Sequence, residues 1–114
     1  MAKVYKIAAR ADWEAAQLAG AFEGAAIDLR DGYIHLSTAA QAPQTARLHF
    51  AGQAGLVLLQ IDAAALGGAL KWEPSRGGAL FPHLYGPLDC EMVEAVSQIA
   101  LDDSGVPQLG ELAQ

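Results

Sequence analysis

Polar and apolar residues alternate through "DGYIHLSTAAQ" (residues 31–41). In an extended chain this puts Ile34 and Leu36 on one face and Tyr33, His35 and Ser37 on the other. The first pair suits a core. The second row is either ordinary polar surface or one wall of a site. Upstream, "VYKIAAR" (residues 4–10) is short and carries β-branched and aromatic residues, which predicts a first strand. "ADWEAAQLAGAF" predicts a helix, with Asp12 as N-cap, Trp13, Ala16 and Leu18 on one stripe, and Gly20 and Gly24 at its end. "IDLRDG" then leads into the alternating run through an Asp-Gly turn. A second helix is expected over roughly residues 39–50, capped by Ser37 or Thr38. Pro43 must lie in its first turn, and Ala46, Leu48 and Phe50 supply its apolar side.

The run "GLVLLQID" (residues 55–62) is continuously apolar and strand-sized, as a strand buried on both faces would be. "AAALGG" reads as a short helical turn and "LKWEPSRGG" as a strand end entering a loop. "LFPHLYGPL" is expected to be extended, since Pro82 disfavours helix at its predecessor. "CEMVEAVSQIAL" fits either a helix face or a strand, and "VPQLGELAQ" can add a last extended piece. About two helices then stand among five or six strands without regular alternation. That predicts an α+β fold with mainly antiparallel sheet.

The 114 residues fit one domain spanning 1–114, and 53% apolar content with 18% charged residues is that of a folded globule. A net charge of −6 argues against a broad basic footprint, so extended nucleic-acid binding is not expected. A local basic pocket around Lys71 and Arg76 stays open. The single cysteine, Cys90, cannot form an internal disulfide. The opening "MAKVYKIAARADW" lacks a signal-type apolar core, and no run approaches the ~20 apolar residues of a spanning helix. A cytoplasmic, non-membrane location is expected.

Glycine-rich phosphate loops are absent, and the glycine pairs Gly67-Gly68 and Gly77-Gly78 read as turns. Three histidines and one cysteine without HExxH or CxxC spacing give no reason to expect a metal. No nucleophile-elbow sequence supports a triad built from Ser37 with His35 or His83. The chemistry gathers instead in two segments. "YIHLS" and "FPHLYG" each place a tyrosine two residues from a histidine, and alternation groups Phe81, His83 and Tyr85. If those faces meet, imidazoles, phenols and hydroxyls line one cleft able to hold a polar ligand and stack on flat rings. "KWEPSRGG" would add Trp72, Glu73 and Arg76. Each histidine equally suits a half-buried structural role, and His49, between Leu48 and Phe50 on the predicted helix, is assigned that role.

"VYKI", "GYIHLSTAAQ" and "LKWEPSRGGALFPHLYGPL" resemble the small bacterial domain-of-unknown-function family 952, over about residues 4–109. That family is similar in fold to the ADP-ribosyltransferase superfamily, which includes the RNA 2′-phosphotransferases. The resemblance implies a split, mainly antiparallel β core with two or so flanking helices, and it favours a strand over residues 91–101. It also implies an NAD- or ADP-ribose-dependent transferase. In that reading His35 holds a ribose hydroxyl, Tyr85 stacks on nicotinamide with His83 beside it, and Glu73 is the acid. Cofactor contacts would come from Lys6, Tyr33, Ser37, Thr38, Lys71, Trp72 and Arg76, and from backbone amides at the helix start after Ser37. A non-catalytic module for a nucleotide or nucleic-acid end is the alternative, its ligand small and nucleotide-like.

Overall fold

The computed structural model describes residues 2–114, apart from the Arg76 side chain. The chain runs β1 (Lys3–Ala9), α1 (Arg10–Ala19), β2 (Ala21–Phe22), α2 (Ala26–Asp31), β3 (Ile34–His35), β4 (Ser37–Thr38), α3 (Ala42–His49), β5 (Leu56–Asp62), β6 (Leu70–Pro74), β7 (Leu80–Leu84), β8 (Leu88–Asp89), β9 (Val93–Leu101) and β10 (Pro107–Gln108). Short 3-10 turns occupy Ala63–Ala69, Arg76–Gly78 and Cys90–Met92. The fold is mixed α+β, and every strand pairing among the described residues is antiparallel.

β1 and β5 form the centre of a sheet ordered β10-β9-β5-β1-β4. They pair from Lys3↔Asp62 to Ala9↔Leu56, and both faces are covered. Val4, Ala8, Val57, Leu59 and Ile61 pack with Trp13 and Ala16 of α1 on one side. Tyr5, Ile7, Leu56 and Leu58 pack with Ala42 and Ala46 of α3 on the other. Burial on both faces explains the uninterrupted apolar run of β5.

Several local expectations need correction. Asp12 lies in the first turn of α1, but the N-cap is Ala9, without a side-chain cap. Leu18 is 93% exposed while Trp13 and Ala16 are buried; five residues on from Trp13, Leu18 sits roughly 140° round the helix. The helix stops at Gly20, whose φ of 94° is left-handed and whose N–H donates to the Ala16 carbonyl. The second expected helix starts later, at Ala42, because Ser37 and Thr38 are sheet residues paired with Tyr5 and Val4. Residues 93–101 are strand. Three helices replace the expected two, and the additional strands are pieces of two residues such as β2, β3 and β8. Among the described residues no helix is long and apolar enough to cross a membrane.

The stretch 33–38 serves two sheets. β3 pairs with β7 in a sheet ordered β3-β7-β6, with His35 opposite His83. Leu36 N–H donates to the Pro82 carbonyl, and β4 then joins β1 in the large sheet. The two sheets thus meet at Leu36, with His35 just before the junction and Ser37 just after.

Candidate functional site

Residues opposite each other in an antiparallel ladder share a face. The β3-β7-β6 sheet has His35 opposite His83, Lys71 opposite His83, and Glu73 opposite Phe81. One face therefore presents both imidazoles, Lys71, Glu73 and Phe81. Ile34 and Leu36 are buried, as the alternation requires. The His35 and His83 rings lie 5.8 Å apart, edge to face. Tyr33 stacks on His83 at 4.1 Å and reaches Tyr85 at 5.3 Å.

Both histidines open on one cleft of about 590 Å³, the size of sites that take small organic ligands. The five-stranded sheet contributes Tyr5, Lys6, Ile7 and Ser37 to its wall, α3 contributes Thr45 and His49, and Phe81 comes from β7. Ser37 and Thr45 hydroxyls are 3.1 Å apart.

A carboxylate orients each imidazole. Glu73 Oε1 lies 2.8 Å from His83 Nδ1 and accepts a hydrogen bond from the Tyr85 hydroxyl at 2.8 Å. These contacts, His83 first, hold the Glu73 carboxyl below its usual range, and Glu73 in turn raises the Tyr85 phenol. An ionised carboxylate can only accept, so Nδ1 is the donor and Nε2 is left as the other ring nitrogen of His83. His35 sits between two carboxylates, with Nδ1 2.6 Å from Asp28 Oδ1 and Nε2 3.0 Å from Asp31 Oδ2.

Asp28 anchors this end of the site. It is buried, and its oxygens accept from Lys6 Nζ (2.8 and 3.1 Å), the His35 backbone N–H (3.0 Å) and the Ala25 N–H (2.8 Å), besides His35 Nδ1. Burial pushes such a carboxyl up. Here the His35 hydrogen bond and the Lys6 charge and hydrogen bond outweigh it, and Asp28 stays well below its usual value. Gly24 makes the approach feasible: its φ is 119°, and a Cβ there would stand 2.8 Å from the Asp28 Cβ.

The expected contacts divide accordingly. His35, His83, Ser37 and Lys6 line the cleft. Lys6 is no free cation for a pyrophosphate, because it is buried against Asp28. Glu73 and Tyr85 stand behind His83 and do not line the cleft. Tyr33 lines a smaller neighbouring cavity of about 210 Å³. Lys71 is exposed on the Glu73 side and helps lower the Glu73 carboxyl. Trp72 pairs with Pro82, so it points to the opposite face and does not join the imidazoles. Thr38 and Gln41 satisfy each other's backbone N–H groups through their side chains, which removes those amides as an anion site. The Arg76 side chain lies outside the described residues.

Asp28, Asp31, Thr45 and His49 were not foreseen as site residues. Thr45 and His49 are one helical turn apart, a spacing that puts both on one face of α3. Among the described residues no group of three or more His, Cys, Asp or Glu side chains is arranged to hold a metal.

The family model for DUF952, described as a protein of unknown function, matches residues 7–96. The crystal structure of protein CC0527 from Caulobacter crescentus is similar, with a TM-score of 0.91 at 56% identity over 93% of each chain. A solution NMR structure of the same protein is similar with a TM-score of 0.86 at 56% identity, over 95% of this chain and 93% of that one. No curated protein matches the chain.

Proposed function

We propose that this chain, which belongs to the DUF952 family, binds a nucleotide-like ligand in the two-sheet cleft and acts on it as an NAD- or ADP-ribose-dependent transferase, with His83 as proton acceptor. The observation that carries the reading is the pair of carboxylate-oriented imidazoles facing one cleft. The separation of the five-stranded and three-stranded sheets about Leu36 fits the split core of the ADP-ribosyltransferase superfamily.

The lining suits part of such a ligand. Phe50 and Phe81 offer faces for a flat ring, and the Ser37 and Thr45 hydroxyls can hydrogen-bond sugar hydroxyls, while His35, with both ring nitrogens against carboxylates, shapes the wall without holding the ribose. NAD would supply a glycosidic bond to a cationic pyridinium, whose bonding pair leaves on the ring nitrogen. Glu73 fixes the Nδ1–H tautomer of His83, so Nε2 is the ring nitrogen left to accept a proton. Nε2 takes the proton of the acceptor hydroxyl as its oxygen forms the new bond to the sugar. Among the described lining residues there is no Asp or Glu. Glu73 therefore acts as a positioning residue through His83, rather than by facing the charge on the sugar.

A second reading, a nucleotide-binding module, is favoured by the mutual satisfaction of Lys6, Asp28 and His35, which leaves those groups engaged with one another. Nicotinamide release and calorimetric NAD binding, measured on the same protein, separate the two. The wild type is expected to release nicotinamide. His83→Asn should lose about 10²–10⁴ of the rate with affinity within a few fold, and Glu73→Gln about 10–100 fold. Saturable binding without release would select the module, and absence of both would overturn the site.

A further inference from the structure

His83 is 3% exposed, and the reaction proposed above makes it a cation when Nε2 accepts a proton. A buried charge is costly unless its surroundings compensate it. A flat imidazolium presents an edge and two faces. Glu73 meets the edge, 2.8 Å from Nδ1. Tyr33 covers one face, its ring 4.1 Å from that of His83 at an interplanar angle of 26°. The face of a phenol ring carries negative potential and attracts a cation stacked on it. The contact follows from the sheet. β3 and β7 set Ile34 opposite Leu84 and His35 opposite His83. Continued one residue back, that register puts Tyr33 opposite Tyr85 and diagonal to His83. Tyr33 is itself held. Its ring meets Tyr85 at 5.3 Å and His35 at 4.6 Å, and its backbone N–H donates to the Asp28 carbonyl at 3.2 Å. The Tyr85 hydroxyl bonds Glu73, so the edge partner and the face partner of His83 belong to one connected frame.

We propose that Tyr33 is a positioning residue for His83: its ring clamps the imidazole and stabilises the cation formed when Nε2 takes a proton. Its part in turnover rests on the transferase reading; the stacking and its effect on the imidazole do not. Tyr33 lines the smaller cavity while His83 lines the cleft, so Tyr33 backs the imidazole instead of touching the ligand. Its attraction grows as the proton arrives, which places it in the transition state more than in the bound state.

The other groups that act on His83 are Glu73 and Lys71 of β6, Tyr85, His35 of β3 with Asp28 and Asp31 against it, and, on the cleft wall, Lys6 of β1 and His49 of α3. None of them changes when only the ring at position 33 is altered. The test therefore places phenylalanine (Tyr33→Phe), and phenylalanines with one, two or three ring fluorines, at that position of the full chain. Fluorine drains the negative face of the ring with little change of shape. Titration of the His83 ring protons is followed by NMR, with His83→Asn for assignment. The midpoint should fall stepwise with each fluorine, by roughly half a pH unit over the series. Tyr33→Leu, which has no aromatic face, should also titrate below Tyr33→Phe. A ring that only kept water out would instead let the midpoint rise on its removal, because burial disfavours the imidazolium. A flat fluorine series would overturn the proposal. So would a rise in Tyr33→Leu, or a His83 ring that does not titrate while the protein is folded. Nicotinamide release should slow across the same series. A falling midpoint in a protein that releases no nicotinamide would count against the transferase and for the stacking role of Tyr33.

Discussion

Asp28 closes its hydrogen-bonding account within the protein: Lys6, His35 and two backbone N–H groups meet its two oxygens. Removing its charge leaves the buried Lys6 ammonium facing a neutral amide. Asp28→Asn should therefore cost about 3–5 kcal/mol, read by urea denaturation. The pH dependence has a definite sign. The folded-state pKa of Asp28 lies below its unfolded value of about 3.9. Its contribution is thus fully present above that value and is lost as pH falls towards the folded value. Acid unfolding of the wild type should steepen below about pH 4, and Asp28→Asn should lack that component. An unchanged acid profile would show that the carboxylate is not held low. The residue was invisible in the sequence because a buried acid breaks the rule by which pattern locates the interior. Lys6 was expected as a cofactor contact, and its burial went unread for the same reason: it shares its face of β1 with Val4 and Ala8, in the centre of the core.

At the scale of elements, legibility followed burial of apolar side chains. β5 could be read because both its faces are covered, and β3 because Ile34 and Leu36 face inward while His35 opens on the cleft. α2 could not. Its apolar residues Ile27 and Leu29 are 48% and 66% exposed, and its only buried residue is Asp28. No hydrophobic periodicity can announce such a helix, since what holds it is a carboxylate bonded to β1 and β3. β9 was ambiguous by local sequence because five consecutive residues are exposed on a strand that alternates only weakly. Within the site, alternation foretold that His35 and His83 could share a wall, but not which partners orient them, because Asp28 and Asp31 arrive from the unseen helix. The α1 stripe gives a clean test of the corrected geometry. Trp13→Ala should cost about 3–5 kcal/mol. Leu18→Glu should change stability by no more than about 0.5 kcal/mol. Equal losses at both positions in thermal or urea unfolding would contradict the placement of Leu18 in solvent.

For the molecule as a whole, the radius of gyration is 13.1 Å. A 114-residue globule is expected near 13 Å, so the cleft is cut into a compact body rather than between separate lobes. Its walls nevertheless come from two sheets. His35, Phe81 and His83 belong to the three-stranded sheet, and Tyr5, Lys6, Ile7 and Ser37 to or beside the five-stranded one. The chain passes directly from β3 to β4 at Leu36, whose backbone N–H donates to the Pro82 carbonyl of β7. That crossing is a fulcrum. It is the shortest link between the two sheets, so shear of one over the other strains it, and a molecule wedged in the cleft acts as a cross-brace on the same joint. Occupancy should then be felt as stiffness: the Leu36 amide should exchange its hydrogen more slowly when the cleft is filled, while amides in the middle of β5, remote from the joint, keep their rate. Were Leu36 exchange indifferent to a ligand that demonstrably binds, the two sheets would have to move as one plate, and the joint would be only a bend in the chain.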